Sequence, residues 1–413
     1  MNPPTATTTA YSSLPTDLPR HPTPTLITPD MTAGLQHPRP EKLPPKPLKP
    51  NHHVLVAKAR FWRFLMQIGM AIHKVAPPLP LSPAWETTIH VPKDPANGEK
   101  GGKIPLAFYA PRTHRISLSL SHPVSTVKRP LVVNFHGGGF TIGNHHDDCR
   151  WSTALVQNCG TIVCSVGYRL APEYAFPTAV EDGVRAIMWC YERREQLGID
   201  ISKIAISGFS AGGNLSITVP LLLAQKLKDM ENPCPGLKIR AVVAHYPSTD
   251  FTRTRAERRA SNLRPDLGLP QFYTDLFDWS YIGTDFGHVS PYAADPLLSP
   301  LRAPEEVLLE GLPSSIQIIG AEFDELRLEE EKFAERLRSI NTASSGTGMK
   351  GKRFRVDYVQ VKGEGHAWDR GVVVAWGRRG GLMKEVYGRA CEEVNRAFDE
   401  DEEALEGNVE VDV

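Results

Sequence analysis

Short apolar runs alternate with longer stretches of helical periodicity along most of the chain. This alternation predicts an α/β fold, in which a mainly parallel sheet is covered by helices on both faces. The predicted strands are 131–135, 161–166, 203–207, 239–246, 315–320 and 354–361, and the predicted helices are 179–197, 214–230 and 325–340. Upstream, residues 85–91 and 104–109 have the pattern of two antiparallel opening strands.

The most apolar early segment, residues 61–75, has the spacing of an amphipathic helix that packs on the body, with a membrane-surface anchor as the alternative. It is too short to span a bilayer. One later segment breaks the alternation of strands and helices. Residues 251–294 place a basic and then aromatic-rich segment between two strands, where a cap insertion is expected.

The predicted organisation follows from these segments and from the ends of the chain. The amino-terminal residues are rich in Pro and Thr and poor in large apolar side chains, which predicts disorder. The predicted domains are a disordered tail at 1–50, amino-terminal cap helices at 51–80, a main α/β domain at 81–398 that includes the cap insertion 251–294, and an acidic tail at 399–413.

The composition is that of an ordinary folded protein, because 41% of the 413 residues are hydrophobic and can bury a large core. Lys plus Arg and Asp plus Glu both total 47, so the chain as a whole has no net charge to attract a nucleic acid or an anionic membrane. The sequence lacks the charged start and apolar run of a secretory signal, which leads us to expect a cytoplasmic protein. Homo-oligomer formation is left open.

Two further sets of residues favour structural roles. The six cysteines have no CxxC spacing, which favours reduced and buried thiols, although their even number leaves disulfides open. Residues 145–148, with the sequence HHDD, are metal-binding residue types, but adjacent side chains point in different directions. We predict that this run begins a helix and that no metal is bound.

The sharpest chemical pattern is GxSxG at residues 208–212, with Ser210 at its centre. It directly follows the predicted strand 203–207 and precedes a helix. In this context it predicts a nucleophile elbow, a strained turn that exposes the serine hydroxyl and needs glycines to avoid clashes. The amino end of the helix stabilises negative charge that forms there. A merely structural Gly-Ser turn is the alternative.

A second glycine pattern, HGGGF at residues 136–140, directly follows the predicted strand 131–135. Consecutive glycines allow the backbone to approach a ligand and to direct N–H groups at a developing oxyanion. We predict that the N–H groups of Gly137, Gly138 and Ala211 form the oxyanion hole. A flexible linker is the alternative, which the preceding strand disfavours.

A nucleophilic serine needs a general base, and after such an elbow the acid and then the histidine follow along the chain. Of the histidines after Ser210, His245 lies in a predicted strand and His288 in the cap insertion. His366 lies in a loop after the last predicted strand. His366 is therefore the predicted base.

The orienting acid is less sharply indicated. Asp324 follows the predicted strand 315–320, as a catalytic acid should. Glu322 or Asp369 could take its place, and an acid at the start of a helix often serves only as a cap. Asp324 is the predicted acid on its loop position together with the family resemblance below.

Several further patterns occur in order with these: YRLAPE at 168–173, GFSAGGN at 208–214 and DPLLSP at 295–300. With HGGGF and the loops of Asp324 and His366, the chain resembles the hormone-sensitive-lipase-like family of α/β-hydrolases, fold-3 type esterases with fungal-like members. The resemblance extends from about residue 131 to the last helix. It implies an α/β-hydrolase fold with a helical cap built from 51–80 and 251–294.

The chain departs from the family pattern at two positions. Family members usually carry an acid where Phe209 stands, and often carry one where Leu328 stands. We expect the change at Phe209 to alter the pocket wall and substrate preference. Neither departure removes a catalytic group.

The resemblance and the chemistry together imply a serine carboxylic-ester hydrolase, similar to carboxylesterases and lipases, that acts through an acyl-enzyme on small or medium apolar esters. Its partner is a small-molecule ester, and it needs no metal or organic cofactor. An amidase or acyltransferase with the same triad is the first alternative. A small-molecule receptor is the non-enzyme alternative, which the presence of His366 disfavours.

The cap insertion contains two sets of side chains with open roles. Its aromatic residues could line an apolar pocket or form the core of the cap; they are Phe272, Tyr273, Phe277, Trp279 and Tyr281. Its arginines are predicted to be a solvated helix face, with recognition of an acidic substrate as the alternative; they are Arg253, Arg255, Arg258 and Arg259.

Overall fold

The computed structural model describes residues 50–95, 99–117, 127–230, 234–284, 288–346, 354–371 and 377–400. Nearly all of the two predicted tails, 1–50 and 399–413, lies outside these residues, and the domain boundaries stay a prediction. Within the described ranges, no helix has both the length and the apolar character that crossing a bilayer requires.

The centre of the structure is one eight-stranded sheet in the order β1-β2-β4-β3-β5-β6-β7-β8. The strands are β1 Trp85–Val91, β2 Gly102–Tyr109, β3 Arg129–Phe135, β4 Ile162–Val166, β5 Ile199–Phe209, β6 Ile239–His245, β7 Ser315–Phe323 and β8 Arg355–Gly365. From β4 to β8 all neighbours are parallel, and β2 pairs antiparallel with β4. The carboxyl ends of the parallel strands therefore meet at one edge of the sheet.

The helices connect and cover the strands. They are α1 His52–Val75, α2 Arg112–Ser117, α3 Cys149–Cys159, α4 Thr178–Glu192, α5 Arg194–Leu197, α6 Ala211–Asp229, α7 Arg255–Ala260, α8 Gln271–Tyr281, α9 Glu305–Gly311, α10 Arg327–Gly346 and α11 Gly377–Asp399. Two short 3-10 helices lie at Pro265–Leu267 and Pro300–Arg302. The single helix predicted at 179–197 was wrong in one respect, because Arg193 divides it into α4 and α5.

Alternation along β3 assigns its side chains to two helical layers. Val132 belongs to a core cluster with residues of α3 and α11. Phe135 points to the opposite layer, where its ring lies against Gly183 of α4. Because α4 also packs on α6, the sheet is covered on both faces, and the predicted α/β class is confirmed.

Residues 90–102 are assigned to a smaller compact unit, of which 90–95 and 99–102 are described. Two described residues of this unit are joined by paired backbone hydrogen bonds. The Asp94 N–H donates to the Glu99 carbonyl at 3.0 Å, and the Glu99 N–H donates to the Asp94 carbonyl at 2.8 Å. The remaining described residues, including the candidate site, belong to the larger unit.

Candidate active site

Ser210 lies between β5 and α6 in a strained backbone conformation, with φ 55° and ψ −113°. The other non-glycine residues with positive φ in the described chain are Phe140, Tyr246 and Ala367. Phe140 shares a cavity with Ser210, the Tyr246 ring lies 4.9 Å from the His366 ring, and Ala367 follows His366. Backbone strain is therefore concentrated around one site, as is common where function requires it.

The turn at Ser210 brings three backbone segments closer together than any side chain would permit. A Cβ atom added to Gly208 would overlap with the Gly212 carbonyl oxygen. One added to Gly212 would overlap with the carbonyl oxygen of Phe135 at the end of β3. Because these obstacles are backbone atoms, no change of rotamer can relieve them.

We expect Gly212→Ala to lower the free energy of unfolding by about 1–3 kcal/mol or more, because the new methyl group has no space. Gly388→Ala is the matched control, since nothing lies within 4 Å of the corresponding Cβ position in α11. It should stabilise the protein by about 0.5–1 kcal/mol through reduced chain entropy. Urea unfolding measures both, and a Gly212→Ala protein as stable as the wild type would contradict the described turn.

The three predicted catalytic side chains form one continuous hydrogen-bonded chain. Ser210 Oγ lies 2.9 Å from His366 Nε2, and His366 Nδ1 lies 2.6 Å from Asp324 Oδ2. The second carboxylate oxygen of Asp324 accepts the Leu326 N–H at 2.9 Å, which fixes the carboxylate. This arrangement can move a proton from the serine hydroxyl to the imidazole.

The two alternative acids have other partners. Glu322 accepts the Gly363 N–H at 2.8 Å on the outer side of the loop. Asp369 accepts the hydroxyls of Tyr246 and Tyr387, each at 2.6 Å. The structure therefore brings Asp324 to the histidine, and sequence position alone could not exclude the other two.

The environment of His366 changes its basicity. Burial alone would lower the pKa of His366, but the Asp324 carboxylate and its hydrogen bond outweigh burial and raise the pKa above its usual value of 6.5. Glu325 acts in the same direction, and the Arg255 guanidinium opposes them. The imidazolium that forms when Ser210 loses its proton is thereby stabilised.

We expect Asp324→Asn to lower the pKa of His366, because a neutral amide no longer stabilises the imidazolium. Histidine NMR titrations, with His366→Asn to assign the signal among the 14 histidines, measure this pKa. Glu322→Gln is the control and should leave it unchanged. Equal pKa values in the wild type and Asp324→Asn would show that Asp324 is not the electrostatic partner.

Of the three predicted oxyanion donors, Gly137 and Ala211 border Ser210. A Cβ on Gly137 would lie 3.6 Å from Ser210 Cβ, and Gly138 has a φ of 112° that suits glycine. Ala211 is the first residue of α6, where a backbone N–H has no acceptor within its own helix. The third glycine, Gly139, lines the cavity together with Ser210 and Ala211. We did not predict Gly139, although the HGGGF pattern contains it.

Aromatic stacking of His136 on Tyr168 supports the start of the glycine loop. The rings of His136 and Tyr168 stack at 4.3 Å, and the Tyr168 hydroxyl donates to the His136 carbonyl at 2.9 Å. Burial lowers the pKa of His136 to about 4, so its ring is neutral. Its Nδ1 lies 2.8 Å from the Gly137 carbonyl, which can only accept, so Nδ1 carries the proton.

One arginine joins helix α1 to this loop. Arg63 donates to the Thr141 carbonyl at 2.8 Å and to the Ala171 carbonyl at 2.6 Å. The same guanidinium pairs with Glu173 at 2.9 Å. The segment after the three glycines is therefore fixed to the first helix.

Four of the five cap aromatics are divided between the two roles left open above, and no contact within the described residues assigns Trp279 to either role. Phe277 and Tyr281 line the cavity next to Ser210. Phe272 and Tyr273 instead pack on Trp62 of α1, with ring centroids 5.2 Å and 4.6 Å from it. Helix α8 therefore forms a wall of the cavity and also packs against α1.

The prediction of a solvated arginine face was wrong for Arg255 and Arg258, which are 9% and 2% exposed. Arg255 pairs with Asp278 and with Glu325, each at 2.8 Å. Arg258 lies 3.1 Å from Glu329. Charge spacing along α7 could not reveal these carboxylates, because most of them are distant in sequence. The pairs join the cap insertion to the segment that carries Asp324.

We expect Arg255→Met to lower the free energy of unfolding by about 3–5 kcal/mol, because it leaves Asp278 and Glu325 buried without their cation. Arg264→Met removes an exposed partner of Asp266 and should change stability by no more than about 1 kcal/mol. Denaturant titration compares the two variants. An equally small effect of Arg255→Met would contradict the buried pairing.

Phe209, the departure from the family pattern, lies beneath Ser210 and is 1% exposed. Its ring stacks on His245 at 4.1 Å, and the Arg370 guanidinium lies 3.6 Å from its centroid. Arg370 pairs in turn with Asp148 at 2.6 Å. Contrary to our expectation, Phe209 is thus part of the support of the elbow and is not among the residues that line the cavity.

The HHDD run does not start a helix at its first residue, since α3 begins at Cys149 with Asp148 as its N-cap. His145 and His146 lie near Glu86, with ligand atoms within 4.8 Å of one another. Burial, the neighbouring histidines and Lys74 lower the pKa of His145 to about 3. The positive charge of Lys74 also opposes a cation here, and we assign no metal. All six cysteines are free thiols.

Comparison with known proteins adds a family match. The family model of the alpha/beta hydrolase fold matches residues 132–369. An arylesterase of Saccharolobus solfataricus is 36% identical over 255 residues, which cover 60% of this chain and 73% of the relative. The carboxylic ester hydrolase LipN of Mycobacterium tuberculosis is 38% identical over 52% of this chain, and the alignment spans only 54% of LipN.

Solved structures show the same fold. An esterase of Pyrobaculum calidifontis has a TM-score of 0.60 at 24% identity, covering 83% of this chain and 93% of its own. A thermostable esterase of Pseudomonas putida has a TM-score of 0.61 at 23% identity, covering 83% and 91%. At this identity the likeness concerns the fold alone, and it confirms the fold predicted from the sequence.

Proposed function

The chain belongs to the alpha/beta-hydrolase family, in its hormone-sensitive-lipase-like branch, and on this basis we propose that it is a serine hydrolase that cleaves carboxylic esters. The observation that carries the proposal is the 2.9 Å contact between Ser210 Oγ and His366 Nε2, with Asp324 behind the histidine. The names of the relatives, an arylesterase and a carboxylic ester hydrolase, support the same reaction.

Acylation starts at Ser210. Its oxygen attacks the ester carbonyl carbon while His366 Nε2 takes the hydroxyl proton. The resulting oxyanion is stabilised by the N–H of Ala211 and by N–H groups of the glycine loop, for which Gly137 and Gly138 are the proposed donors. The tetrahedral intermediate then breaks its bond to the alcohol oxygen, and His366 protonates the departing alcohol.

Deacylation follows the same steps, with water as the nucleophile. His366 takes a proton from a water molecule, whose oxygen attacks the acyl carbon. The second intermediate releases the carboxylic acid, and the proton returns from His366 to Ser210. Asp324 holds the imidazole in the tautomer that has its free nitrogen toward Ser210.

The cavity wall favours small or medium apolar, uncharged esters. Phe140, Phe277 and Tyr281 supply apolar surface beside Ser210. Arg255 also borders the cavity, but its charge is already paired with two carboxylates. It is therefore a poor partner for an acidic substrate. A cytoplasmic location stays a prediction, and the oligomeric state stays open.

We expect Ser210→Ala to lower kcat/KM for short-chain p-nitrophenyl esters by at least about 10³-fold, because the nucleophile is lost.

In the wild type, activity should fall as the pH decreases through the raised pKa of His366, since only the neutral imidazole accepts a proton. The acidic limb of the kcat/KM profile should therefore lie above pH 6.5.

Two variants separate the candidate acids in the same assay. Asp324→Asn should lower kcat by about 10³–10⁴-fold, whereas Glu322→Gln should retain most of the activity. Circular dichroism confirms that each variant is folded. Undiminished turnover by a folded Ser210→Ala protein would overturn the proposal, and p-nitroanilides or added alcohols in the assay compare amide cleavage and acyl transfer with ester hydrolysis.

A further inference from the structure

Helix α1 has two apolar faces. Its inner face packs on the body through Leu55, Ala59 and Met70, which are buried. A second set of large apolar side chains, which we call the outer face, is between 37% and 69% exposed; it consists of Val54, Phe61, Phe64, Leu65, Ile68, Ile72 and Val75. At 3.6 residues per turn these positions form one stripe on the side opposite the inner face.

A stripe of this kind differs from the single exposed apolar residues that are normal on protein surfaces. Contiguous exposed apolar patches generally mark a place where something binds. Seven large side chains in 24 residues, among them two phenylalanines, form such a patch. Packing of α1 on the body therefore leaves this second set of apolar side chains without an explanation.

The charge around α1 indicates the partner. Helix α1 contains four Lys and Arg residues and no Asp or Glu, although the whole chain is balanced at 47 of each sign. The carboxylate of Glu173 lies against this helix and pairs with Arg60 at 3.5 Å and with Arg63 at 2.9 Å, so positive charge remains in excess there. Charges more than about 10 Å away are largely screened at moderate salt. A surface near α1 therefore encounters a basic segment, and the neutrality of the whole chain does not exclude binding of an anionic surface here.

We propose that the outer face of α1 docks on an anionic lipid bilayer, with the helix lying in the plane of the interface. Its apolar side chains enter the acyl boundary, while Lys58 and Arg60 lie near the lipid phosphates. A second copy of this chain fits less well, because pairing through the same face brings like charges together.

Helix α1 contacts an element that lines the candidate active site. Trp62 stacks on Phe272 of α8, and Phe277 and Tyr281 of the same helix line the cavity beside Ser210. A bilayer on the outer face therefore lies against the helix pair that forms a cavity wall. The docking itself does not depend on the proposed ester hydrolysis.

Vesicle co-sedimentation of the full chain tests the proposal, with phosphatidylcholine vesicles that contain or lack phosphatidylserine. We expect binding to the anionic vesicles that weakens at high salt, and little binding to the neutral ones. Phe64→Asp/Ile68→Asp should lower the partition coefficient at least about tenfold, because it places charge in the apolar stripe. Lys58→Gln should lower it about fivefold, and Lys58→Arg should retain it.

The matched control is Val127→Asp/Val289→Asp, which changes two valines of similar exposure, 59% and 46%, that do not belong to α1. It should bind vesicles like the wild type, and unchanged melting temperatures show that all variants fold. Equal binding to neutral and anionic vesicles, or binding that survives Phe64→Asp/Ile68→Asp, would overturn the proposal. The proposal would also be overturned if the wild type formed a stable dimer and did not bind vesicles, and if Phe64→Asp/Ile68→Asp dissociated that dimer.

Discussion

The contact of three backbone segments at the elbow is the constraint on which the rest of the site depends. The end of β3, the end of β5 and the start of α6 meet with no room for a side chain at Gly208 or Gly212. This contact fixes Ser210 above the sheet edge in a conformation that residues other than glycine rarely adopt. The loops after β7 and β8 start at the same edge, so Asp324 and His366 need only short paths to reach it.

Buried charges hold these loops on two sides. On the cavity side, Arg255 joins the cap insertion to Glu325, the neighbour of Asp324. Beneath the elbow, Arg370 joins the histidine loop to Asp148, which directly precedes α3. Each of these ions would be unfavourable in the interior without its partner. The paired charges therefore favour one arrangement of the loops over others. This effect is distinct from their net contribution to the free energy of unfolding.

Features that depend on local sequence were predictable. The strands, the GxSxG turn and the chain order of serine, acid and histidine all rest on patterns within a few residues, and the structure brings the predicted side chains together. The environments of Arg255, Arg258 and Phe209 were not predictable. Each has at least one partner that is 70 or more residues away: Glu325 for Arg255, Glu329 for Arg258 and Arg370 for Phe209. A single sequence does not reveal such pairings, because each of these side chains could pair with many carboxylates or cations elsewhere in the chain.

Arg63 has a mechanical consequence. One guanidinium binds the carbonyls of Thr141 and Ala171 as well as the carboxylate of Glu173. Lifting α1 from the body must either break all of these bonds together or pull the glycine loop with it. Displacement of the first helix at the surface of the molecule is therefore transmitted through Arg63 to the backbone that follows the three glycines.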